Sequence, residues 1–253
     1  MQADEQVSRR GFVKKAAIAG VAFVALDAIG GATIAFGADP KQTQLSNGVI
    51  YPEPSLCIGC LTCEVICGQV HKEQGLASVP RIRIFNDPTV QVDPAVQEAY
   101  PGRGSFRQQP CLQCPTAECL YVCPVNALRV DPKTGARFIA EDTCVTCGRC
   151  ANACPFPTMP ESDATNELKL GQKTRISFDA ERNTFAKCDL CYWREGGPAC
   201  VERCPINIRI KQGILKSDKM CLSVPKSDKA TWNNLRQFET FPGSPAEGKM
   251  VVL

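Results

Sequence analysis

Apolar and polar residues alternate in short runs along this chain, and those runs predict strands. Ala127-Leu128-Arg129-Val130 and Arg137-Phe138-Ile139-Ala140 flank the turn-forming Asp131-Pro132-Lys133-Thr134-Gly135, which predicts a β-hairpin. Arg81-Ile82-Arg83-Ile84-Phe85 and Arg175-Ile176-Ser177-Phe178-Asp179 predict one short strand each within the polar stretches 68–110 and 155–187. Near the N-terminus, Ala16 to Gly37 is weakly apolar and rich in Ala and Gly. Asp27 splits it into runs too short to span a bilayer comfortably, and no second apolar stretch reaches spanning length. Residues 222–253 are polar and weakly periodic; they read as an extended tail lying over a partner or as a disordered end.

Cysteine changes the picture most. Sixteen of the seventeen fall into four quartets: Cys57-x2-Cys60-x2-Cys63-x3-Cys67, Cys111-x2-Cys114-x4-Cys119-x3-Cys123, Cys144-x2-Cys147-x2-Cys150-x3-Cys154 and Cys188-x2-Cys191-x8-Cys200-x3-Cys204. A [4Fe–4S] cube needs four thiolates from tetrahedral directions. One C-x2-C-x2-C loop wraps three corners, while the cysteine of x3-C-P ligates a second cluster, so quartets work in pairs. Pro124, Pro155 and Pro205 follow the fourth cysteine of the last three quartets and stop the local helix there. Gly68 takes that place in the first quartet, so a helix there runs on through Gln69, Val70, His71 and Lys72. A disulfide framework fits poorly with an odd count and adjacent C-x2-C pairs. Structural zinc needs two knuckles but neither the third cysteine nor x3-C-P, so iron–sulfur is the reading of all four quartets.

Ser8-Arg9-Arg10-Gly11-Phe12-Val13-Lys14 matches the twin-arginine export pattern ahead of the apolar stretch. Residues 1–37 therefore read as a signal peptide, with Ala35 and Gly37 supplying small residues for cleavage near Ala38 or Asp39. Clusters are assembled in a reducing compartment and are lost on unfolding, so export of an already folded protein to the periplasm suits this chain. About 215 residues remain, enough for one or two domains. With aromatics at 7% and nineteen each of Gly and Pro, the apolar core is modest, and metal-binding energy takes its place. The formal charge of +3 says nothing about nucleic acid, since each oxidised cube with its thiolates carries roughly −2.

Quartets two and three form a compact central unit, 111–154, that resembles a bacterial two-cluster ferredoxin. Quartets one and four must meet in space around it, as an outer unit from 50–110 plus 188–211. Asn207-Ile208-Arg209-Ile210 follows quartet four as Leu128-Arg129-Val130 follows quartet two, which supports an internal repeat. The fold expected over 38–221 is α+β: two interleaved bacterial-ferredoxin-like two-cluster units with long loops. Two motifs carry a wider resemblance. They are Cys111-Leu112-Gln113-Cys114-Pro115-Thr116-Ala117-Glu118-Cys119 with Val122-Cys123-Pro124, and Lys187-Cys188-Asp189-Leu190-Cys191 with Pro198-Ala199-Cys200-Val201-Glu202-Arg203-Cys204-Pro205. Through them, residues 50–211 are similar to the four-cluster electron-transfer subunits of molybdopterin oxidoreductases of the dimethyl-sulfoxide-reductase type, of some exported hydrogenases and of nitrite-reductase-type pathways.

The resemblance implies four [4Fe–4S] clusters: Cys57, Cys60, Cys63 with Cys204; Cys188, Cys191, Cys200 with Cys67; Cys111, Cys114, Cys119 with Cys154; and Cys144, Cys147, Cys150 with Cys123. It implies a subunit without catalysis of its own. Electrons would pass between a catalytic subunit, molybdopterin-dependent by this resemblance, and a membrane quinone or cytochrome partner; a free-standing periplasmic polyferredoxin and a hydrogenase subunit are the alternatives. Cys154-Pro155-Phe156-Pro157 departs from the more usual Cys-Pro-Tyr continuation. His71, the one histidine, reads as a surface or interface residue because the cysteines already complete the ligand set. Cys221 is left over as a small buried or free thiol, and Tyr192 and Trp193 read as shields that keep water from the clusters.

Overall fold

The computed structural model describes residues 44–156 and 174–238, with the backbone alone at 236–238. The Ser8-to-Lys14 motif, the apolar stretch from Ala16 to Gly37 and residues 239–253 lie outside the described residues. Within them, small antiparallel sheets alternate with short helices, an α+β arrangement compatible with a ferredoxin-like iron–sulfur domain. β1 (Tyr51–Pro52) pairs with β8 (Leu222–Ser223), β2 (Ile82–Asn86) with β3 (Phe106–Pro110), β4 (Leu128–Val130) with β5 (Arg137–Ile139), and β6 (Ile176–Asp179) with β7 (Thr184–Lys187). The helices are α1 (Thr62–Glu73), α2 (Pro94–Ala99), α3 (Glu118–Tyr121), α4 (Arg149–Ala153), α5 (Ala199–Glu202), α6 (Pro205–Lys211) and α7 (Lys229–Phe238). No described helix is long and apolar enough to cross a membrane.

The alternating runs become strands where they were expected. Arg81 to Phe85 yields β2, Arg175 to Asp179 yields β6, and the hairpin around Asp131 yields β4 and β5. Asp131 builds that turn by accepting hydrogen bonds from the Lys133 and Thr134 amides, at 3.2 and 2.7 Å. Helix α1 continues past Cys67 to Glu73, because Gly68 stands where other quartets carry proline. A Cβ at Gly68 would lie 2.5 Å from the Ser78 carbonyl oxygen, so the close approach of that loop excludes any side chain.

Two expectations are corrected. Asn207-Ile208-Arg209-Ile210 is not a counterpart of β4: it lies in α6, which Pro205 starts at its first turn, where proline's fixed φ favours a helix. Nor is the chain after 222 an extended tail as far as residue 238. β8 pairs with β1, and Asp228 caps α7 by accepting the Thr231 amide at 2.7 Å. Trp232 and Leu235, one helical turn apart, are buried against Val49, Leu112 and Phe156. Phe156, the residue that replaces the usual tyrosine, meets the Trp232 ring edge-on at 6.5 Å.

The interior is not one oil-like core. Among the described residues, buried apolar side chains form four small clusters, and each contains thiols or is packed against by them.

Candidate metal centres

Four loops repeat one backbone device. The residue before the second cysteine of every quartet has a left-handed conformation: Gly59 at φ 67°, Gln113 at 50°, Thr146 at 58° and Leu190 at 59°. Three of them are not glycine, and each costs on the order of 1–2 kcal/mol. The twist turns the N–H groups of the loop inward. Gly59 N–H donates to Cys57 Sγ and Gln113 N–H to Cys111 Sγ, both at 3.4 Å, while Ala127 N–H donates to Cys123 Sγ at 3.2 Å and Arg81 N–H to Cys67 Sγ at 3.4 Å.

The cysteines gather in groups drawn from more than one quartet. Cys57, Cys60 and Cys63 line one narrow cavity with Cys204 and Cys221. Cys111, Cys114 and Cys119 line another with Cys154, and Cys144, Cys147 and Cys150 a third with Cys123. Cys67, Cys188 and Cys200 share a core cluster with Cys63 and Cys111, and Cys200 is pushed well up by burial first and then by Cys67, Cys188, Cys191 and Cys63. Neighbouring groups also meet through packing: Cys63 and Cys111 lie in the core cluster of Cys67, Cys188 and Cys200, and Cys119 and Cys154 pack on the same cluster as Cys123, Cys144 and Cys150. At the two ends of that series, Cys60 and Cys147 are exposed. Beside them the apolar side chains of Leu61 (47%), Val65 (67%) and Val145 (58%) are open to solvent.

Burial, together with neighbouring thiols, drives most of these groups away from ionisation. It raises Cys67 to about 11 against the pull of the Arg81 amide and charge, and Cys119, Cys150 and Cys191 to about 12. Thiolates so placed need positive charge among them. Protein cations already face them: Lys187 and Arg137 line or adjoin the cavity of Cys111, Cys114, Cys119 and Cys154. Burial alone would lower the Lys187 ammonium, yet Cys111, Cys119 and Cys188 outweigh it and hold it above its ordinary value. Arg137 is almost wholly buried and donates to the Gly135 and Pro115 carbonyls. The guanidinium of Arg103, with its three nitrogens buried and unpaired, is acted on by Cys57 and Cys221. Converging thiols, inward N–H donors and an orphaned cation all fit an anionic iron–sulfur cluster with acceptor sulfides.

His71 departs from its expected place. It is 1% exposed, because both ring nitrogens find partners inside: Nδ1 lies 2.6 Å from the Cys67 carbonyl oxygen, and Nε2 lies 3.1 Å from Asp189 Oδ1. Asp189 also accepts from the Cys191 amide at 2.9 Å and from Arg81 Nη1 at 3.2 Å, and Arg81 Nη2 reaches Glu141 Oε1 at 2.7 Å. This buried network joins α1, the quartet-four loop and the segment after β5. Sequence reasoning missed it, as it missed Lys187 and Arg137, although Lys187 directly precedes Cys188. Trp193 stands edge-on to His71 at 5.6 Å and Tyr192 packs on Phe138 at 4.8 Å, so both cover this corner of the site.

Residues 110–158 match the 4Fe-4S dicluster domain family. The chain is 35% identical over 177 residues to formate hydrogenlyase subunit 2 of Escherichia coli (strain K12), covering 63% of this chain and 78% of that protein. It is 33% identical over 171 residues to electron transport protein HydN of the same organism, covering 65% and 87%. To the polyferredoxin-like subunit of the aliphatic sulfonate oxidoreductase of Pyrococcus furiosus it is 36% identical over 151 residues, covering 60% and 68%.

Proposed function

The chain belongs to the 4Fe-4S dicluster family of iron–sulfur electron-transfer proteins, and from that premise we propose that it is a four-cluster conduit serving a catalytic partner. Each of the four thiol groups takes one [4Fe–4S] cluster, with the ligand sets of Cys57, Cys60, Cys63, Cys204; Cys67, Cys188, Cys191, Cys200; Cys111, Cys114, Cys119, Cys154; and Cys123, Cys144, Cys147, Cys150. The arrangement is that of two interleaved two-cluster units. Bound clusters supply one-electron redox chemistry at potentials set by hydrogen bonds, burial and nearby charge. The chain's own part is to hold the sulfurs, offset their charge through Lys187 and Arg137, and keep water out with packed apolar side chains.

The observation that carries this reading is the series of thiol groups, packed side by side, from exposed Cys60 to exposed Cys147. A conduit needs a way in and a way out, and exposed apolar residues at both ends suit brief docking of redox partners. The chain is not an enzyme by itself: sixteen cysteines commit to closed sites, whereas catalytic metal sites keep an open position. Its catalytic partner is a molybdopterin oxidoreductase, and a membrane quinone-reactive or cytochrome subunit takes the other end. The similarity to Escherichia coli hydrogenase-4 component A, 33% over 179 residues, favours a second reading with a hydrogenase as partner. Residues 1–37 direct export of the folded, loaded protein to the periplasm.

Anaerobic purification of the native complex tests the whole. About sixteen irons per chain with equal acid-labile sulfide are expected, and Mo or W against Ni in the co-purifying subunit separates the two partners. Zinc in place of iron, or sustained turnover by the isolated subunit on oxyanions, S-oxides or hydrogen, would overturn the reading.

A further inference from the structure

The thiol group of Cys57, Cys60, Cys63 and Cys204 has two neighbours that ligation does not use. Cys221 is 3% exposed and lines the same narrow cavity as those four. Its position is fixed from two sides. Its amide donates to Asn207 Oδ1 at 2.8 Å, and Asn207 is anchored in turn by donating to the Leu222 carbonyl at 2.7 Å. Gln108 Nε2 donates to Cys221 Sγ at 3.0 Å. With its sulfur accepting from Gln108, the Cys221 thiol keeps its one S–H to give into the cavity that Cys57 and Cys204 also line.

The second neighbour is Arg103. Gly102 adopts φ 80°, a conformation that suits glycine, and turns the chain after α2 so that Arg103 comes back toward Cys57. All three guanidinium nitrogens are buried without a protein acceptor. A guanidinium offers five N–H donors and stays charged, so burying it unpaired is costly unless an anion meets it.

We propose that Arg103 and Cys221 are positioning residues that donate hydrogen bonds to the sulfurs of the cluster at the Cys60 end and raise its reduction potential. The inference rests on the proposed ligation by Cys57, Cys60, Cys63 and Cys204. Its physical basis is charge: reduction adds one negative charge to the centre, and N–H and S–H donors beside it stabilise the reduced form more than the oxidised one. Both residues sit at an exposed terminus of the series, so they bias where an arriving electron comes to rest.

The test is an EPR-monitored redox titration of the full-length protein, with iron and acid-labile sulfide counted on every sample. The relevant wave is identified as the one that Cys60→Ser alters. Arg103→Gln and Cys221→Ala are each expected to move that wave to lower potential, a tenfold change in the reduction equilibrium being about 59 mV for one electron. The other waves stay in place, Cys221→Ser, which keeps a donor, holds the wave near its original position, and Arg103→Lys recovers part of the shift. Four unchanged waves in iron-replete Arg103→Gln and Cys221→Ala would overturn the inference alone. So would loss of one cluster's irons in Cys221→Ala, since Cys221 would then be a ligand. A wild-type chain without iron would remove the ligation on which the inference stands.

Discussion

Replacing Arg81 by Met keeps the length of the side chain and removes one cation from between two carboxylates. Arg81 Nη2 lies 2.7 Å from Glu141 and Nη1 lies 3.2 Å from Asp189, with all three side chains only 3–5% exposed. Breaking a buried pair by deleting one partner costs about 3–5 kcal/mol, because a desolvated charge is left behind. Two carboxylates lose a partner at once, while Asp189 keeps His71 and the Cys191 amide and Glu141 keeps Arg182 and the Ala77 amide, so the expected loss stays within that range. At roughly 2–4 °C per kcal/mol for a chain of this size, the apparent unfolding midpoint should fall by about 6–20 °C. The assay is anaerobic calorimetry at one fixed scan rate, with iron counted before heating.

A pH arm makes that prediction sharper. Burial holds Glu141 above its ordinary value, against the pull of the Ala77 amide and of Arg81. Without Arg81 it rises further. A carboxyl whose folded-state value lies above its unfolded one costs stability when ionised and relieves that cost as pH falls through the raised value. The deficit of Arg81→Met should therefore be smaller at about pH 5.5 than at about pH 8, and adding Glu141→Gln should return at least about 1 kcal/mol. A loss under about 1 kcal/mol, or a double variant weaker than the single one, would refute the account of the network.

Three other predictions bear on the sites and the ends of the chain. Cys67→Ser and Cys188→Ser should disturb the same EPR signal and Cys57→Ser a different one; if Cys67→Ser instead tracks Cys57→Ser, each quartet closes its own cluster. Arg9→Lys with Arg10→Lys keeps the charge but loses the planar guanidinium pair, so folded, iron-loaded protein should stay in the cytoplasm, which fractionation and iron analysis would reveal. Leu235→Ala should lower the unfolding midpoint with a cost of about 2–5 kcal/mol while leaving iron content intact; an unchanged midpoint would mean that α7 contributes nothing to the body of the protein.

How much of this could be read from the sequence depends on whether the cause was local. β2, β4, β5 and β6 were legible because alternation is written into each run. β3 was not: Phe106-Arg107-Gln108-Gln109-Pro110 carries almost no apolar pattern and is a strand because β2 offers it a partner. Asn207-Ile208-Arg209-Ile210 misled for the opposite reason, since its alternation was outweighed by Pro205 at the start of a helical turn. Spacing said only that quartets work in pairs; which thiols would share a centre was implied by resemblance alone. The burial of His71 did not, because its partner Asp189 lies 118 residues away. The left-handed positions were hidden as well: only Gly59 announces itself, while Gln113, Thr146 and Leu190 share its place in the register without sharing its chemistry.

Each x3 spacing in the quartets begins inside a helix, at Cys63, Cys119, Cys150 and Cys200. Cys67 is still in α1, whereas Cys123 lies past α3, Cys154 closes α4 in extended backbone and Cys204 lies between α5 and α6; Cys119 and Cys154 line one cavity, Cys123 and Cys150 another. Four residues reach from about 6 Å in a helix to at most about 14 Å fully extended, so covalent geometry bounds how far apart the centres of the proposed conduit could lie. Loop motion or loosened packing can alter access and surroundings, but it cannot stretch four residues beyond that reach. An electron that tunnels along such a series would meet barriers of bounded width, and the slow, variable step would lie outside the chain, in the encounter with whatever docks at Cys60 or Cys147.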